Sequence, residues 1–220
     1  MHSGAHQYVN MAVEIILADD HEIVREGFRA LLERHGFRVV GEASDGQEAV
    51  RLAQKLQPQV AVLDLSMPLL SGIEASRQIT SLSRGTKTIL LTMYMEDQYI
   101  LEALKAGASG YILKTNGTKE LVEAICQVLR GTTYLSPEVS RTVIEAYRGG
   151  TQPEAAPISP RERQVLQLVA EGKSTKEAAS VLGISVKTAS AHRTNLMSKL
   201  DIHETAGLVR FAIRLGLVRP

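Results

Sequence analysis

Residues 59–65, QVAVLDL, form a run that is apolar after Gln59 and is broken only by Asp64 close to its end. Near-continuous apolar runs are typical of strands that are buried on both faces of a parallel sheet. Comparable runs, some of them shorter, occur at Val13–Ala18, Arg38–Glu42, Lys87–Thr92 and Gly110–Leu113. The sequence therefore predicts five buried strands.

Helical patterns follow each of these runs in turn. They cover His21–His35, Asp45–Gln57, Ser71–Ser83, Glu96–Ala106 and Thr118–Arg130. Two of them open with capping-box sequences, a variant form at Asp45 and the form Ser-x-x-Glu at Ser71. Strands that alternate with helices predict a doubly wound, flavodoxin-like α/β domain with a five-stranded parallel sheet and right-handed crossovers.

The pattern changes after Gly131. One isolated helical pattern, Pro137–Arg148, precedes a Gly-, Pro- and polar-rich stretch at residues 149–157, which is typical of a linker. Beyond it only four helical patterns occur, and the first two open with capping boxes at Ser159 and Ser174. We therefore divide the chain into a disordered leader (1–12), an α/β domain (13–131), a linker with one helix (132–157) and an all-α four-helix domain (158–220).

The composition is that of an ordinary globular protein, with 44% hydrophobic and 22% charged residues among 220. No apolar run reaches the roughly 18 residues that a membrane-spanning helix needs. Cys126 is the only cysteine, which excludes an intrachain disulfide and favours a reducing cytoplasm. Because Cys126 lies in an apolar helical pattern, we expect its side chain to be buried.

Charge is distributed unevenly along the chain. Residues 1–157 hold 15 Lys and Arg against 19 Asp and Glu, a net charge of −4, whereas residues 158–220 hold 10 against 5, a net charge of +5. An acidic first part and a basic last part predict different partners, and the basic part favours nucleic acid. Charge excesses of this size are also common on ordinary solvated surfaces, so charge by itself does not identify a partner.

Polar residues stand at the predicted carboxyl ends of the strands, where a doubly wound sheet forms its binding crevice. They are Asp19 and Asp20 after the first strand, Asp64 at the third, Thr92 at the fourth and Lys114 at the fifth. Clustered carboxylates repel one another unless a divalent cation lies among them, and an all-oxygen site suits Mg²⁺. A lysine and a hydroxyl beside them suit a phosphoryl group, which an aspartate can accept as an acyl phosphate. Taken singly, each residue could equally cap a strand or a helix.

Four segments in order resemble the signature segments of response-regulator receiver domains. They are Ile16–His21, Asp64–Gly72, Leu91–Met93 and Gly110–Lys114, within a resemblance that covers about Val13–Gly131. The resemblance implies that Asp64 accepts the phosphoryl group. It also implies that Asp20, Asp64 and the backbone carbonyl of Ser66 ligate Mg²⁺, and that Asp19 helps through water. Thr92 and Tyr111 would form the switch pair, and Lys114 would pair with the phosphoryl group.

The last part of the chain resembles the LuxR-type helix-turn-helix, which makes the whole chain similar to NarL/FixJ response regulators. The resemblance spans roughly Ile158–Val218 and is carried by Ile158–Leu166, Glu171–Ala179, Gly183–Thr188 and His192-Arg193. The third helix, Ser185–Leu200, would be the recognition helix. Ala189, Leu196 and Leu200 form its inward stripe, and the opposite stripe is free to enter a major groove. A protein-binding module is the alternative for an isolated helical domain of this kind.

The predicted DNA contacts fall into two groups. Lys176, Lys187, Arg193 and Lys199 carry long cationic side chains and are candidates for phosphate contact. Ser190, Ala191 and Thr194 are candidates for base edges, and Thr188 and His192 complete the predicted surface.

These observations predict a phosphorylation-controlled, dimeric, sequence-specific transcription factor of the cytoplasm. Its expected partners are a cognate sensor histidine kinase, double-stranded operator DNA, a second copy on activation and RNA polymerase, with no membrane. We expect no enzymatic activity beyond the Mg²⁺-dependent phosphorylation and dephosphorylation of its own aspartate. Two alternatives remain, namely an aspartate-nucleophile phosphohydrolase and a constitutive DNA-binding protein with an idle receiver.

The arrangement of the two domains is a separate expectation. On the NarL resemblance, we expect the resting receiver to cover part of the recognition helix. The opposite net charges of the two parts would favour such docking at low salt.

Overall fold

A computed structural model describes residues 12–93, 97–116, 118–148 and 158–218. The first part is built on a parallel sheet with the strand order β2-β1-β3-β4-β5-β6. The strands are β1 (Glu14–Ala18), β2 (Arg38–Ala43), β3 (Val60–Asp64), β4 (Lys87–Thr92), β5 (Gly110–Leu113) and β6 (Tyr134–Leu135).

Helices flank this sheet, and helices joined by short loops form the second part of the chain. Those of the first part are α1 (Glu22–Arg34), α2 (Gly46–Leu56), α3 (Gly72–Leu82), α4 (Asp97–Lys105), α5 (Thr118–Leu129) and α6 (Pro137–Arg148), with a short 3₁₀ helix at Lys114–Asn116. The second part contains α7 (Pro160–Ala170), α8 (Thr175–Leu182), α9 (Val186–Leu200) and α10 (Thr205–Arg214). No helix in these described ranges is both long and apolar enough to cross a bilayer.

The predicted fold class, a doubly wound α/β domain followed by an all-α domain, is confirmed, and the element bounds agree to within a residue or two. The sheet differs in one respect, since it has a sixth strand. In β6, Tyr134 and Leu135 pair with Gly110 and Tyr111 of β5. Two residues are too few to produce a recognisable strand pattern in the sequence.

Apolar side chains fill both faces of the sheet. One core cluster contains Ile16, Ala61, Leu63 and Leu90, and the other contains Ile15, Val60, Val62 and Ile89. This alternation within each strand explains why the runs are apolar at every position rather than at every second one.

Helix α6 belongs to the α/β body by its packing. Val139 is fully buried in the first core cluster, and α6 packs against α4. The predicted leader (apart from Ala12) and the linker stretch 149–157 lie outside the described residues. The chain therefore leaves the α/β body after α6 and not directly after α5.

Cys126 corrects one expectation, because its side chain is exposed and not buried. The buried positions of α5 are Leu121, Ala124, Ile125 and Val128. Their spacing of three, one and three defines the inward face of the helix. Cys126 falls outside that face, although its neighbours in sequence are apolar.

Candidate functional site

An acidic site lies at the carboxyl ends of β1, β3 and β5, where parallel strands direct their last residues to one edge. The Lys114 ammonium lies 2.6 Å from Asp19 Oδ2 and 2.6 Å from Asp64 Oδ1. Asp19 and Asp64 are both buried, with 1% and 4% of their surface exposed. Three of the predicted site residues therefore meet in one buried cluster.

The charge on Lys114 is stabilised by this arrangement. Burial disfavours the ammonium, but attraction to Asp64 and hydrogen bonds to Asp19 and Asp64 hold the pKa of Lys114 above its ordinary value of 10.5. A lysine that stays protonated beside Asp64 offsets the negative charge of a buried carboxylate. The same ammonium is available to a dianionic group bound at Asp64.

Asp20 and Ser66 line the mouth of the site. They border a cavity of about 210 Å³ together with Met67 and Pro68. Asp20 is exposed, and its Oδ1 lies 2.8 Å from His21 Nδ1. Possible ligand atoms of Asp19, Asp20 and His21 lie within 4.8 Å of one another. Sequence reasoning did not single out His21 as a site residue, although it follows directly after the two aspartates.

The donor set fits a magnesium ion. Carboxylate oxygens predominate, and hard oxygen ligands are what Mg²⁺ prefers. Asp20 and Ser66 border the cavity, and Asp64 lies with them at the same strand edge. The residues that the sequence predicted as ligands or helpers, Asp19, Asp20, Asp64 and Ser66, are thus compatible with this cation.

Glycine permits the tight geometry next to Asp64. A Cβ on Gly72 would lie 2.0 Å from the carbonyl oxygen of Asp64, and the Gly72 N–H donates to the Leu65 carbonyl at 2.8 Å. Only a residue without a side chain allows α3 to begin so close to the end of β3. The segment Leu65–Ser71 between them, which we call the β3–α3 loop, is therefore held against the site.

The predicted switch residues are both internal. Thr92 has 1% of its surface exposed at the end of β4, and Tyr111 is fully buried in the first core cluster. The ring of Tyr111 thus occupies an inward position here. A role of this pair in signalling remains a prediction.

Comparison with known families identifies both parts of the chain. The model of the response regulator receiver domain matches residues 15–126, and the model of bacterial regulatory proteins of the luxR family matches residues 156–212. The chain belongs to the NarL/FixJ family of response regulators. Its α/β body is therefore a receiver domain, and its second part is a LuxR-type DNA-binding domain.

Full-length relatives support this assignment. The oxygen regulatory protein NreC of Staphylococcus carnosus is 37% identical over 215 residues, covering 94% of this chain and 99% of NreC. The transcriptional regulatory protein LiaR of Bacillus subtilis is 39% identical over 210 residues, with the same coverage. A structure of RcsB from Salmonella enterica bound to promoter DNA with the phosphomimetic BeF₃⁻ has a TM-score of 0.62 at 30% identity, covering 91% of this chain and 98% of RcsB.

The DNA-binding domain presents the predicted recognition helix with its outer face open. Ala189 and Leu196 are buried, and Leu200 is half-buried, as the inward stripe requires. The predicted contacts that are exposed are Lys176, Lys187, Thr188, Ser190, Ala191, Thr194 and Lys199. Most of the predicted surface is therefore accessible to a groove.

Two of the predicted phosphate contacts also bind within the domain. Arg193 is half-buried, and it donates to Thr175 Oγ1 of α8 and to Thr205 Oγ1 of α10. The Lys199 ammonium lies 2.8 Å from Glu162 Oε2 of α7. Both cations thus link α9 to neighbouring helices, and His192, the remaining predicted contact, is half-buried.

The two domains dock through α7 and the β3–α3 loop. The Gln167 side chain accepts from the Ser71 N–H at 2.9 Å and donates to the Met67 carbonyl at 3.0 Å. Glu171 Oε1 accepts from the Leu69 N–H at 3.1 Å. The Leu69 side chain packs against the core cluster of the DNA-binding domain.

A second set of contacts involves α4. Glu102, which is buried, pairs with Arg163 of α7 at 3.2 Å and with Arg77 of α3 at 3.6 Å. The Tyr99 hydroxyl donates to the Ile213 carbonyl at the end of α10, and the Tyr99 ring lies close to Gly216. Docking therefore spans both the loop beside the site and the helix after β4.

This arrangement differs from the expected one. The receiver contacts α7 and the end of α10, and the outer face of α9 is exposed, so the expectation that it covers the recognition helix is wrong for this structure. The docking residues Gln167, Glu171 and Tyr99 carried no sequence signal. They lie about a hundred positions from their partners, where no local periodicity connects them.

Proposed function

We propose that the protein is a phosphorylation-controlled transcription factor whose phosphoacceptor is Asp64. The observation that carries the proposal is the position of Asp64, which is buried at 2.6 Å from the Lys114 ammonium, at the same strand edge as the cavity-lining residues Asp20 and Ser66. An oxygen of the Asp64 carboxylate would attack phosphorus and form an acyl phosphate, while the bond to the donor's leaving group breaks. Lys114 would then hold the new negative charge.

Magnesium would be bound by Asp20, Asp64 and the Ser66 carbonyl, with Asp19 acting through water, and it would supply charge neutralisation for the phosphoryl oxygens. The residues of the chain provide the rest. The Asp64 carboxylate is the nucleophile, Lys114 is the fixed cation, and the Thr92 hydroxyl and Tyr111 report the modification. The protein would thus act on its own aspartate and on no separate substrate.

The output would be sequence-specific DNA binding by two copies in the cytoplasm. We expect a cognate sensor histidine kinase to phosphorylate Asp64, and dimerisation to place two α9 helices in successive major grooves. RNA polymerase is a further expected partner on promoter DNA. Support comes from the exposed outer face of α9 and from the promoter-bound RcsB structure, which is similar in fold.

Mass spectrometry after incubation with acetyl phosphate and Mg²⁺ tests the first step. One phosphoryl group should appear on the wild type and none on Asp64→Asn, which keeps the shape of the side chain but removes the nucleophile. Asp20→Ala should raise the magnesium concentration that is needed. Uptake of a phosphoryl group at another aspartate of Asp64→Asn would refute the assignment.

Selection of DNA fragments with the phosphorylated protein tests the output. We expect a two-fold symmetric site whose half-sites are about one helical turn apart. Failure of the phosphorylated protein to enrich any sequence would contradict the proposal.

A further inference from the structure

Three helices of this chain begin with the capping-box sequence Ser-x-x-Glu, and two of them form the complete box. At α7, the Ser159 N–H donates to Glu162 Oε2 at 2.7 Å. At α8, the Ser174 N–H donates to Glu177 Oε2 at 2.8 Å. In both boxes the serine hydroxyl also accepts from the backbone N–H of the glutamate. Each side chain thus accepts from the backbone N–H of the other residue.

The third box, at α3, is only half formed. Ser71 Oγ accepts from the Glu74 N–H, but the Glu74 carboxylate does not return to Ser71. It pairs instead with Arg77 Nε at 3.2 Å. The Ser71 N–H, which is fully buried, donates to the Gln167 side chain of the DNA-binding domain at 2.9 Å.

Gln167 is fixed at both ends of its amide. Its oxygen accepts from Ser71, and its nitrogen donates to the Met67 carbonyl and to Glu171 Oε1. Only 1% of Gln167 is exposed. The Gln167 side chain therefore accepts the Ser71 hydrogen bond that the Ser-x-x-Glu sequence predicts for Glu74.

We propose that Gln167 caps helix α3 from the other domain, so that domain docking and closure of the α3 capping box are alternative states of the same Ser71 N–H. A buried N–H without an acceptor is unfavourable. When α7 leaves the loop, the Glu74 carboxylate turns from Arg77 to Ser71 and completes the box. The inference goes beyond the proposed function, because it does not require Asp64 to be phosphorylated.

This exchange makes separation of the domains reversible at low cost to the receiver. The N-terminus of α3 keeps an acceptor in both states, and the β3–α3 loop does not have to unfold when docking is lost. Glu74 is then a positioning residue for the undocked receiver, and Gln167 is its counterpart in the docked one.

Hydrogen exchange of the Ser71 amide, measured by NMR on the full chain without phosphodonor, tests the exchange of partners. Gln167→Met and Glu74→Met keep approximate side-chain size and remove the acceptor. Each single variant should retain Ser71 protection to within a few-fold, because the other acceptor remains. In the double variant, exchange of the Ser71 amide should be accelerated at least tenfold beyond the combined acceleration of the two single variants. One label is placed on the native Cys126 of the receiver and a second on Ser198→Cys of α9. The distance between the two labels should increase in Gln167→Met, because the domains move apart.

Gln164→Met is the matched control, since Gln164 lies on the same helix and bonds to Arg161 of that helix. Combined with Glu74→Met, it should leave Ser71 protected. The proposal is overturned if Gln167→Met alone exposes Ser71 as fully as the double variant. It is equally overturned if the double variant exchanges no faster than Glu74→Met.

Discussion

Lys114 joins two carboxylates that would otherwise repel each other in a buried site. Its ammonium lies 2.6 Å from both Asp19 and Asp64, and most of its side chain is covered. Removal of one partner of a buried ion group leaves uncompensated charge, which is more costly than loss of an exposed pair. The residue therefore stabilises the resting receiver in addition to its proposed role after phosphorylation.

Lys114→Met should lower the free energy of unfolding by about 2 kcal/mol, below the roughly 3–5 kcal/mol of a fully buried pair because the ammonium is partly solvated. Added Mg²⁺ should restore part of this loss, since the cation replaces the missing charge. Urea unfolding with and without Mg²⁺ measures both effects. Lys119→Met, at an exposed lysine on α5, should change neither. A variant as stable as wild type without Mg²⁺ would contradict this account.

Tyr134 gives a prediction about pH. Burial, together with Glu120, whose carboxylate accepts a hydrogen bond from the Tyr134 hydroxyl at 3.2 Å, raises the pKa of Tyr134 to about 12. The folded chain therefore holds this proton more tightly than the unfolded chain, in which a tyrosine titrates near 10. The stabilisation is present below about pH 10 and is lost as the pH rises toward 12. NMR titration of the Tyr134 ring should show that it ionises above the pH at which an unfolded tyrosine does, and Glu120→Gln should lower its pKa.

At the scale of elements, one face of α9 is exposed and another contacts neighbouring helices. Lys187 is exposed at its N-terminal end, whereas Arg193 donates to threonines at the starts of α8 and α10. A cation that already joins three helices is part of the architecture of the domain. Their long cationic side chains placed both residues among the predicted phosphate contacts.

Lys187→Ala should leave stability unchanged, weaken binding to all DNA sequences and lower the salt slope by about one. Arg193→Ala should instead lower the free energy of unfolding by about 1 kcal/mol, through loss of two partly exposed hydrogen bonds. Thermal unfolding and salt titrations of DNA binding separate the two effects. An unchanged melting temperature for Arg193→Ala would show that Arg193 does not hold the three helices together.

The sequence predicted the elements well because each has a local cause. Apolar runs identify the strands, Ser-x-x-Glu identifies three helix starts, and the strand-end rule brought Asp19, Asp64 and Lys114 together. The expectation that Cys126 is buried was wrong, because it relied on the apolar neighbours of Cys126 in sequence and not on its position around the helix axis. The box at Ser71 could not be predicted as incomplete, since its competitor, Gln167, is distant in sequence.

At the scale of the whole molecule, the DNA-binding domain forms part of the wall of the cavity beside the proposed phosphorylation site. Glu171, Leu217 and Val218 line the same cavity as Asp20 and Ser66. The shape of the cavity beside Asp64 therefore depends on the position of a domain that has no part in the proposed chemistry. By thermodynamic linkage, domain docking and modification of Asp64 must then change each other's free energy by the same amount.

Weakening the docking contacts should accelerate modification of Asp64. Arg163→Met removes the pair with buried Glu102, and we expect several-fold faster labelling by acetyl phosphate, read by mass spectrometry over time. Arg161→Met is the control, because Arg161 is exposed on the same helix and bonds to Gln164. Equal rates for Arg163→Met and wild type would show that docking does not restrict the site.

The packing of α6 on the receiver has a consequence for local concentration. Only residues 149–157 join Arg148 to Ile158, and even a fully extended chain of this length reaches no further than about 35 Å. Confinement within that radius corresponds to on the order of 10 mM of one domain around the other. An interface whose free energy of association between separate domains is only about −2.7 kcal/mol would then be formed half of the time. Cleavage of the tether would separate the domains at micromolar concentration, although no contact between them had changed.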